Sequence, residues 1–361
     1  MTCSERETVR DLAKRYMEIA RDPAQEAKRE IWRRHHSLRG DVPLIYTRKF
    51  AFYELSEAQL VCSDPALKRV EYHFRRQLYW AGLADDAVFE PWYTIRPVFA
   101  SAGWGVDVPR EYSEEDRGSF KIDYPIREPE DIRKLTVPEH RIDEVETERL
   151  ADFHEELLGD IITIDLDRSP CYRDFGGDLS TQLGHLRGIE FFMMDMIDDP
   201  DWLKELVFFL ASGVEKAHRE GERQEDWGYT SHSNQAQAYC EELPDPAPNA
   251  RTGTRKELWG FMAAQEFTGV SPEMHEEFLL SFQRPILENF GLSAYGCCED
   301  LSRKIDLLRS VSNLRRIAVS PMADVRRCAE QIGPDYILSY RPSPTDMVGY
   351  DFDEERIRSI L

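Results

Sequence analysis

Cysteine, glutamate and histidine side chains lie at the ends of several apolar segments. Cys297 and Cys298 stand side by side after a glycine, while Glu266 and His232 come near the ends of GFMAAQEF and WGYTSHS. Thiolate, carboxylate and imidazole groups bind zinc, and a catalytic zinc takes three protein ligands and keeps one open position. These four residues are therefore candidate ligands of a catalytic zinc ion. The alternative is that the cysteines are small buried side chains and the histidine an ordinary polar residue.

Acidic residues and an arginine form a second candidate set. Asp165 and Asp167 alternate along DIITIDLD, so their side chains face the same side of a strand. They are either a pair of catalytic carboxylates or partners of Arg168 and Arg341 in ion pairs. Glu90 is the titratable group that the second predicted strand, DAVFEPW, supplies. Asp165, Glu90 and Arg341 are therefore candidate catalytic residues, although Arg341 would equally suit a structural role.

Aromatic residues near the same segment ends would suit an apolar substrate pocket. Trp92, Tyr229 and Tyr295 are the aromatic candidates for substrate binding, together with the carboxylate of Asp167. The aromatic residues would serve equally well in ordinary packing.

Short apolar segments alternate with helical patterns along most of the chain. Runs of this kind are typical of parallel strands buried on both faces. The predicted strands are residues 42–48, 86–92, 160–167, 227–233, 260–267, 292–297, 314–321 and 335–342. Eight strands alternating with helices predict an α/β fold, a single (β/α)8 TIM barrel over residues 41–361 after an N-terminal helical extension over residues 1–40. The polar residues named above then lie at the carboxyl ends of barrel strands, where such barrels place their active sites.

Capping signals mark the starts of several predicted helices. Asp199, Ser271 and Asp324 each stand where an N-cap residue is expected. Pro285 should kink or break the helix that follows Ser271. The stretch EDLSRKIDLL, residues 299–308, is predicted as a helix whose acidic first turn complements the helix dipole.

Composition excludes several classes of partner. A formal charge of −22 argues against binding to nucleic acids or anionic membranes, which require a basic face. No apolar run approaches the roughly 20 residues of a membrane helix, and the N-terminus lacks the apolar core of a signal peptide. Seven cysteines are an odd number for a disulfide framework. We therefore expect a cytoplasmic protein with free thiols.

Three stretches carry a resemblance to a known family. Residues 259–291, beginning WGFMAAQEFTG, and residues 294–347, beginning AYGCCEDLSRK, resemble the uroporphyrinogen decarboxylase superfamily, a group of (β/α)8 barrels. Residues 85–108 look like the second-strand segment of that family. The likeness runs over most of the chain.

Two branches of this superfamily differ in their motifs. True decarboxylases have an Arg-Gln-Ala-Gly-Arg loop after the first strand, which is absent from TRKFAFYEL at residues 47–55. Corrinoid-dependent methyltransferases have a zinc motif of His-x-Cys on the sixth strand and Cys on the eighth. Here Cys297 matches the first cysteine, while Tyr295 replaces the histidine and Ser339 the second cysteine. The chain is therefore more similar to the second branch, with a rearranged ligand set.

The resemblance implies a methyltransferase of a corrinoid-dependent system. Such an enzyme moves a methyl group from a small methylated donor, with a methyl ether favoured, to a corrinoid carried by a partner protein. Zn²⁺ or an acid would activate the leaving group, and a homodimer is favoured. The alternatives are a metal-free decarboxylase or other lyase acting on a small carboxylated substrate, and a non-catalytic barrel that binds a tetrapyrrole.

Overall fold

The computed structural model describes residues 3–48, 50–101, 103–114, 118–229, 236–349 and 351–361. The α-helices are α1 (Cys3–Ala20), α2 (Ala24–His36), α3 (Pro65–Ala81), α4 (Glu144–Leu158), α5 (Leu179–Leu186), α6 (Ile189–Asp198), α7 (Pro200–Arg223), α8 (Pro272–His275), α9 (Ser281–Leu287), α10 (Ile305–Leu308), α11 (Val325–Ile332), α12 (Pro344–Val348) and α13 (Glu354–Ile360). The strands are β1 (Trp92–Ile95), β2 (Arg110–Tyr112), β3 (Phe120–Ile122), β4 (Thr163–Leu166), β5 (Trp227–Gly228), β6 (Arg251–Thr252), β7 (Trp259–Met262), β8 (Leu292–Tyr295), β9 (Leu314–Val319) and β10 (Ile337–Tyr340). In this described part of the chain, no helix combines the length and the apolar character needed to span a membrane.

The chain is a mixed α/β protein that divides into two compact units. The first unit comprises Met1–Ala100, Ile142–Arg168 and Asp226–Thr252. The second comprises Ser101–Arg141, Ser169–Glu225 and Gly253–Leu361. Each unit is therefore assembled from separate stretches of sequence.

The first unit packs helices around a parallel strand pair. β1 and β4 run parallel, with Trp92 opposite Thr163 at the start of the register. Helix α1 packs against α3, and the rings of Tyr16 and Phe74 lie 5.6 Å apart in the core. The apolar face of the N-terminal helix α1 is thus buried in the core of this unit.

Residues 42–48, predicted as the first strand, lie outside the strands of the described chain. Two carboxylates hold this segment instead. The N–H of Ile45 donates to Asp86 Oδ2 at 2.6 Å, and the N–H of Thr47 donates to Asp85 Oδ2 at 2.7 Å. The segment also pairs once through its backbone, because the N–H of Asp86 donates to the carbonyl of Ile45 at 2.9 Å.

The second predicted strand also differs, because β1 begins only at Trp92, where the predicted span 86–92 ends. The N–H of Phe89 donates to the side chain of Gln25 in α2 at 2.9 Å. Pro91 has no N–H to offer. The Gln25 side chain thus takes the place of a strand partner for this N–H group.

The other predicted strands are present over shorter spans. They are β4 within 160–167, β5 at the start of 227–233, β7 overlapping 260–267, β8 within 292–297, β9 within 314–321 and β10 within 335–342. Residues 230–233 of the fourth predicted strand lie outside the described residues.

The second unit contains a four-stranded sheet in the order β10–β9–β8–β7. All neighbouring strands in it are parallel. Tyr295 lies opposite both Met262 and Ile317, and Tyr340 lies opposite Val319. The carboxyl ends of the four strands therefore meet at one edge of the sheet.

The predicted helix caps are confirmed. Asp199, Ser271 and Asp324 each accept a hydrogen bond from the backbone N–H three residues further on, at 3.4, 3.3 and 3.1 Å. These caps satisfy N–H groups that have no partner within their helices.

The helix after Ser271 is irregular, but it does not end at Pro285. A π-helical turn, Glu276–Leu280, separates α8 from α9, and Pro285 lies inside α9. Proline lacks the N–H that would bind the carbonyl one turn earlier, and a π turn is one way in which a helix adjusts its hydrogen bonding.

Candidate active site

Polar residues follow each strand of the four-stranded sheet in the second unit. They are Glu266 after β7, Cys297 and Cys298 after β8, Ser320 after β9 and Arg341 after β10. The N–H of Arg341 donates to the carbonyl of Val319 at 2.9 Å, so the ladder extends past β10. The predicted strand-end residues of this unit thus share one sheet edge.

Two adjacent thiols form the centre of this edge. The sulfur atoms of Cys297 and Cys298 lie 3.6 Å apart. Cys297 is buried among Phe261 and Ala294, whereas Cys298 is exposed. The hydrogen bond with Cys297 lowers the pKa of Cys298 to about 6, and the positive charge of Arg341 acts in the same direction.

A guanidinium group completes what we call the thiol–guanidinium cluster, consisting of Cys297, Cys298 and Arg341. Burial lowers the pKa of Arg341, while Cys297, Glu299 and Cys298 act in the opposite direction. Guanidinium stays charged in proteins. Its buried Nε and Nη1 atoms have no hydrogen-bond partner among the described residues. They can therefore donate to an oxygen atom of a ligand.

The backbone beside the thiols is held by a glycine and a buried acid. Gly296 has a φ of +93°, and a Cβ there would lie 2.7 Å from the side chain of Leu301. Glu299 is buried, and its two oxygens accept hydrogen bonds from the N–H groups of Cys297 at 2.8 Å and Ala264 at 2.7 Å. Glu299 thereby ties the end of β8 to the end of β7.

The role predicted for the acid at position 299 is wrong. It was expected in the first turn of a helix over residues 299–308, but α10 spans only Ile305–Leu308. The carboxylate of Glu299 serves two loop N–H groups instead of a helix dipole.

Glu266 is bound by a serine of a neighbouring helix. Its Oε2 atom accepts a hydrogen bond from the Ser180 hydroxyl, at the start of α5. Gly184 of the same helix makes room for the side chain, because a Cβ there would lie 2.8 Å from Glu266 Cγ. Glu266 thus packs against α5.

A second buried acid supports the end of β7. Asp178 caps α5 and accepts hydrogen bonds from the N–H of Ala263 at 2.9 Å, Gln283 Nε2 at 3.1 Å and both the N–H and hydroxyl of Thr181. Burial raises its pKa to about 7, and the negative charge of Glu266 adds to that effect, while the hydrogen bonds from Ala263 and Thr181 lower it.

Tyr295, a candidate substrate residue, has its hydroxyl in a buried hydrogen-bond network. The hydroxyl donates to Gln283 Oε1 at 2.6 Å, and His275 Nε2 lies 2.8 Å from its oxygen. Since the hydroxyl proton goes to Gln283, His275 must donate from Nε2, which leaves Nδ1 unprotonated. Burial lowers the pKa of His275 to about 3, and the charge of Lys304 acts in the same direction.

The paired aspartates of the first unit have different partners. Asp165 Oδ1 accepts from the N–H of Asn249 at 2.7 Å, and Asp167 Oδ2 lies 3.1 Å from Arg96 Nη1. Both aspartates are buried. Asp167 is thus in an ion pair with Arg96, a partner that the sequence did not reveal.

Arg168, the other predicted partner, bridges two different acids. Its guanidinium binds Glu144 at 2.7 Å and Asp226 at 2.5 Å. Asp226 is buried and also binds Arg251 at 3.1 Å.

Glu90 also has partners for both oxygens. Oε2 accepts from Arg29 Nη2 at 2.7 Å, and Oε1 accepts from the hydroxyl of Tyr239. This arrangement links α2 to the segment before β1.

For the remaining candidates, only the position in the chain and the burial are described. Trp92 begins β1 and Tyr229 follows β5, both half-buried. His232, a candidate metal ligand, lies outside the described residues.

Whether this edge of the sheet can bind zinc depends on the donor atoms that its side chains supply. Within the described residues, no group of three or more histidine, cysteine, aspartate or glutamate side chains lies close enough together to hold a metal ion. Cys297 and Cys298 supply two sulfurs, while Glu266 binds Ser180 and Glu299 binds backbone N–H groups. The described donors fall short of the three ligands of a catalytic zinc.

Two supporting residues, Glu299 and Asp178, were not identified from the sequence. Asp178 precedes Leu179-Ser180-Thr181, which is an N-cap pattern that would have revealed it. No local pattern reveals Glu299, because one of its partners, Ala264, lies on another strand end.

A scan against protein-family models finds no match to the chain, and no curated protein matches its sequence significantly.

Proposed function

We propose that the protein is a corrinoid-dependent methyltransferase built on a single (β/α)8 barrel. It moves a methyl group from a small donor, with a methyl ether favoured, to a corrinoid carried by a partner protein. The sequence resemblance supports the reaction class. The consecutive parallel order of β7 to β10 supports the barrel. The observation that carries the proposal is the thiol–guanidinium cluster at the carboxyl edge of this sheet.

Arg341 supplies the electrostatic part of the reaction. Attack on the methyl carbon forms its bond to the corrinoid cobalt and breaks the bond to oxygen, whose electron pair stays on the leaving group. Fixed donors aimed at such a developing charge stabilise the transition state. The Nε and Nη1 atoms of Arg341, which have no partner in the described part of the chain, would be donors of this kind.

A thiol supplies the proton that the leaving oxygen needs. Cys297 and Cys298 share a hydrogen bond, so the pair keeps one proton when the other is lost. Transfer of that proton converts the leaving alkoxide or phenoxide to an alcohol or phenol. Solvent restores the proton through the exposed Cys298.

The described donors at this edge do not by themselves complete a zinc ligand set, and His232 lies outside the described residues. Cys297, Cys298, Glu266 and His232 remain the proposed ligands, and a bound zinc would act as a Lewis acid on the leaving atom. Elemental analysis of the purified protein and of Cys297→Ser tests this directly. Zinc that disappears with the substitution supports the ligand set, and an absence of zinc from both proteins refutes it.

The residues of the first unit have proposed roles as well. Asp165 and Glu90 are proposed catalytic acids, and Trp92, Asp167 and Tyr229 are proposed substrate contacts. Because Arg29 and Tyr239 bind both oxygens of Glu90, a positioning role suits that residue better.

The test is methyl transfer to reduced cobalamin, followed by its absorbance change. Aryl methyl ethers, methylamines and methyl thioethers form the donor panel. We expect protein-dependent transfer from a methyl ether, and a loss in kcat/KM of roughly 100-fold in Arg341→Met. Arg309→Met is the matched control, since Arg309 forms a surface ion pair with Asp335 at 3.2 Å. Absence of transfer from every donor refutes the reaction class, and full activity of Arg341→Met refutes its role.

A metal-free decarboxylase or other lyase is the second candidate. The observation that favours it is again Arg341, whose Nε and Nη1 atoms have no partner among the described residues and would suit a substrate carboxylate. This reading predicts release of carbon dioxide from a carboxylated substrate without cobalamin. It also predicts that Cys297→Ser retains full activity.

We also propose a cytoplasmic location and a homodimer, on the composition and the resemblance respectively. Fractionation of cells and light scattering of the purified protein test them.

A further inference from the structure

The two thiols of the cluster are close enough to react with each other. Their sulfur atoms lie 3.6 Å apart, whereas a disulfide bond is about 2.05 Å long, so closure needs a movement of about 1.5 Å. The side chains belong to adjacent residues, so closure requires side-chain rotation and no approach of distant chain segments.

The surroundings of the pair allow an oxidant to reach one sulfur and not the other. Cys298 is exposed, while Cys297 is 5% exposed. Arg341 places a positive charge near Cys298, and the buried Glu299 places a negative charge there. Reactive cysteines are partly exposed and lie near basic side chains.

We propose that Cys297 and Cys298 form a redox-active vicinal dithiol that hydrogen peroxide converts to an internal disulfide. The sulfur of Cys298 attacks the peroxide oxygen, the O–O bond breaks, and a sulfenic acid and water form. The sulfur of Cys297 then attacks the sulfenic sulfur, and a second water leaves. Both sulfurs are oxidised and one peroxide is reduced to two waters.

The disulfide should be easy to reduce again. The Cα atoms of adjacent residues are about 3.8 Å apart across a trans peptide, below the lower limit of about 4.4 Å for ordinary disulfides. The resulting ring is strained, and strained disulfides have higher reduction potentials and are reversible. Oxidation therefore removes both thiols from the sheet edge until a thiol reductant restores them.

Peptide mass analysis of the intact protein tests the proposal. The protein is treated with hydrogen peroxide, alkylated with iodoacetamide and cleaved with trypsin. Residues 257–303 form one peptide that contains Cys297 and Cys298 and no other cysteine, because Pro285 follows Arg284. We expect this peptide to lose two hydrogen masses, to take up no alkyl group, and to regain two alkylation sites after dithiothreitol.

Two variants sharpen the test. Cys298→Ser should abolish the loss of two hydrogens. Cys328→Ser is the matched control, since the buried Cys328 donates to Ser302 at 3.5 Å, and it should leave the ring closure unchanged. A peptide that carries two alkyl groups at the dose that oxidises Cys171, or that gains oxygen atoms without losing hydrogens, overturns the proposal.

A measurement on the unmodified protein covers the case of a poorly folded variant. Phenylarsine oxide binds two neighbouring thiols at once, and a dithiol displaces it far better than a monothiol. We expect one arsenic per chain, attached to residues 257–303 and released by dimercaptopropanol but not by mercaptoethanol. Release by both reagents contradicts a dithiol. These outcomes do not depend on methyl transfer, so failure of one proposal leaves the other standing.

Discussion

Protonation of His275 should destabilise the protein below neutral pH. Burial, together with the charge of Lys304, lowers the pKa of this histidine from 6.5 to about 3. The unfolded chain takes up the proton near its ordinary pKa of about 6.5, whereas the folded chain does not. Its stabilising contribution is therefore complete above that pH and is lost as the pH falls toward 3. At pH 5 the loss amounts to about 2 kcal/mol.

The assay is urea unfolding of the wild type and His275→Gln, each at about pH 7.5 and pH 5. Glutamine keeps a donor near the Tyr295 hydroxyl but has no group that titrates in this range. The wild type should lose about 2 kcal/mol more than the variant between the two pH values. Equal losses in both proteins would refute the assignment of a neutral histidine.

The substitution Tyr295→Phe distinguishes a role of the Tyr295 hydroxyl in the buried hydrogen-bond network from a role in substrate binding. It leaves His275 Nε2 and Gln283 Oε1 without their shared partner, which should cost about 1–3 kcal/mol at both pH values. Because the hydroxyl faces this buried pair, we expect KM for the methyl donor to stay within about twofold of the wild type, roughly 0.4 kcal/mol. A large rise in KM at unchanged stability would restore the substrate role predicted from the sequence.

Three further substitutions should destabilise the second unit, measured by urea unfolding. Arg255→Met leaves the carboxylates of Glu215 and Glu222 without the buried guanidinium that binds them at 2.8 and 3.1 Å, at a cost of about 3–5 kcal/mol. Gly296→Ala forces a left-handed backbone on a side chain, at a cost of about 1–3 kcal/mol, and should also slow alkylation of the neighbouring thiols. Asp178→Ala removes a helix cap and an acceptor for buried donors, at a cost of about 2 kcal/mol.

Controls for these substitutions come from the surface of the same unit. Arg309→Met removes an ion pair that solvent screens, and it should change stability by less than about 1 kcal/mol. If Arg255→Met has the same free energy of unfolding as the wild type, the attraction within these ion pairs does not exceed the cost of removing their charges from water. Unchanged alkylation in Gly296→Ala would show that this bend does not position the thiols.

Local signals in the sequence predicted the helix caps because their partners lie three residues away. Asp199, Ser271 and Asp324 bind N–H groups of their own helices. Residues 42–48 and most of residues 86–92, predicted as strands, lie outside the strands of the described chain and have more distant partners. Side chains from elsewhere in the chain, such as Gln25 of α2, bind their backbone, and no periodic pattern records such partners.

The candidate site also combines features that the sequence predicts with features that it does not. Cys297, Cys298 and Arg341 could be predicted together, because parallel strands bring their carboxyl ends to one edge. The partner of Glu266 could not, because Ser180 comes from a helix 86 positions earlier. A strand-end position predicts where a side chain lies, but its hydrogen bonds depend on every element that packs nearby.

The buried carboxylates of Asp178 and Glu299 explain how the loops at the ends of β7 and β8 can hold reactive groups in place. The consecutive N–H groups of Ala263 and Ala264 bind two carboxylates, Asp178 and Glu299. Glu299 also binds the N–H of Cys297, so one carboxylate links the end of β7 to the backbone of the thiol pair. Catalytic groups need such support, because small displacements of a reacting atom weaken transition-state contacts. Loss of Glu299 should therefore impair the reactivity of both cysteines together, although its carboxylate touches neither sulfur in the hydrogen bonds described.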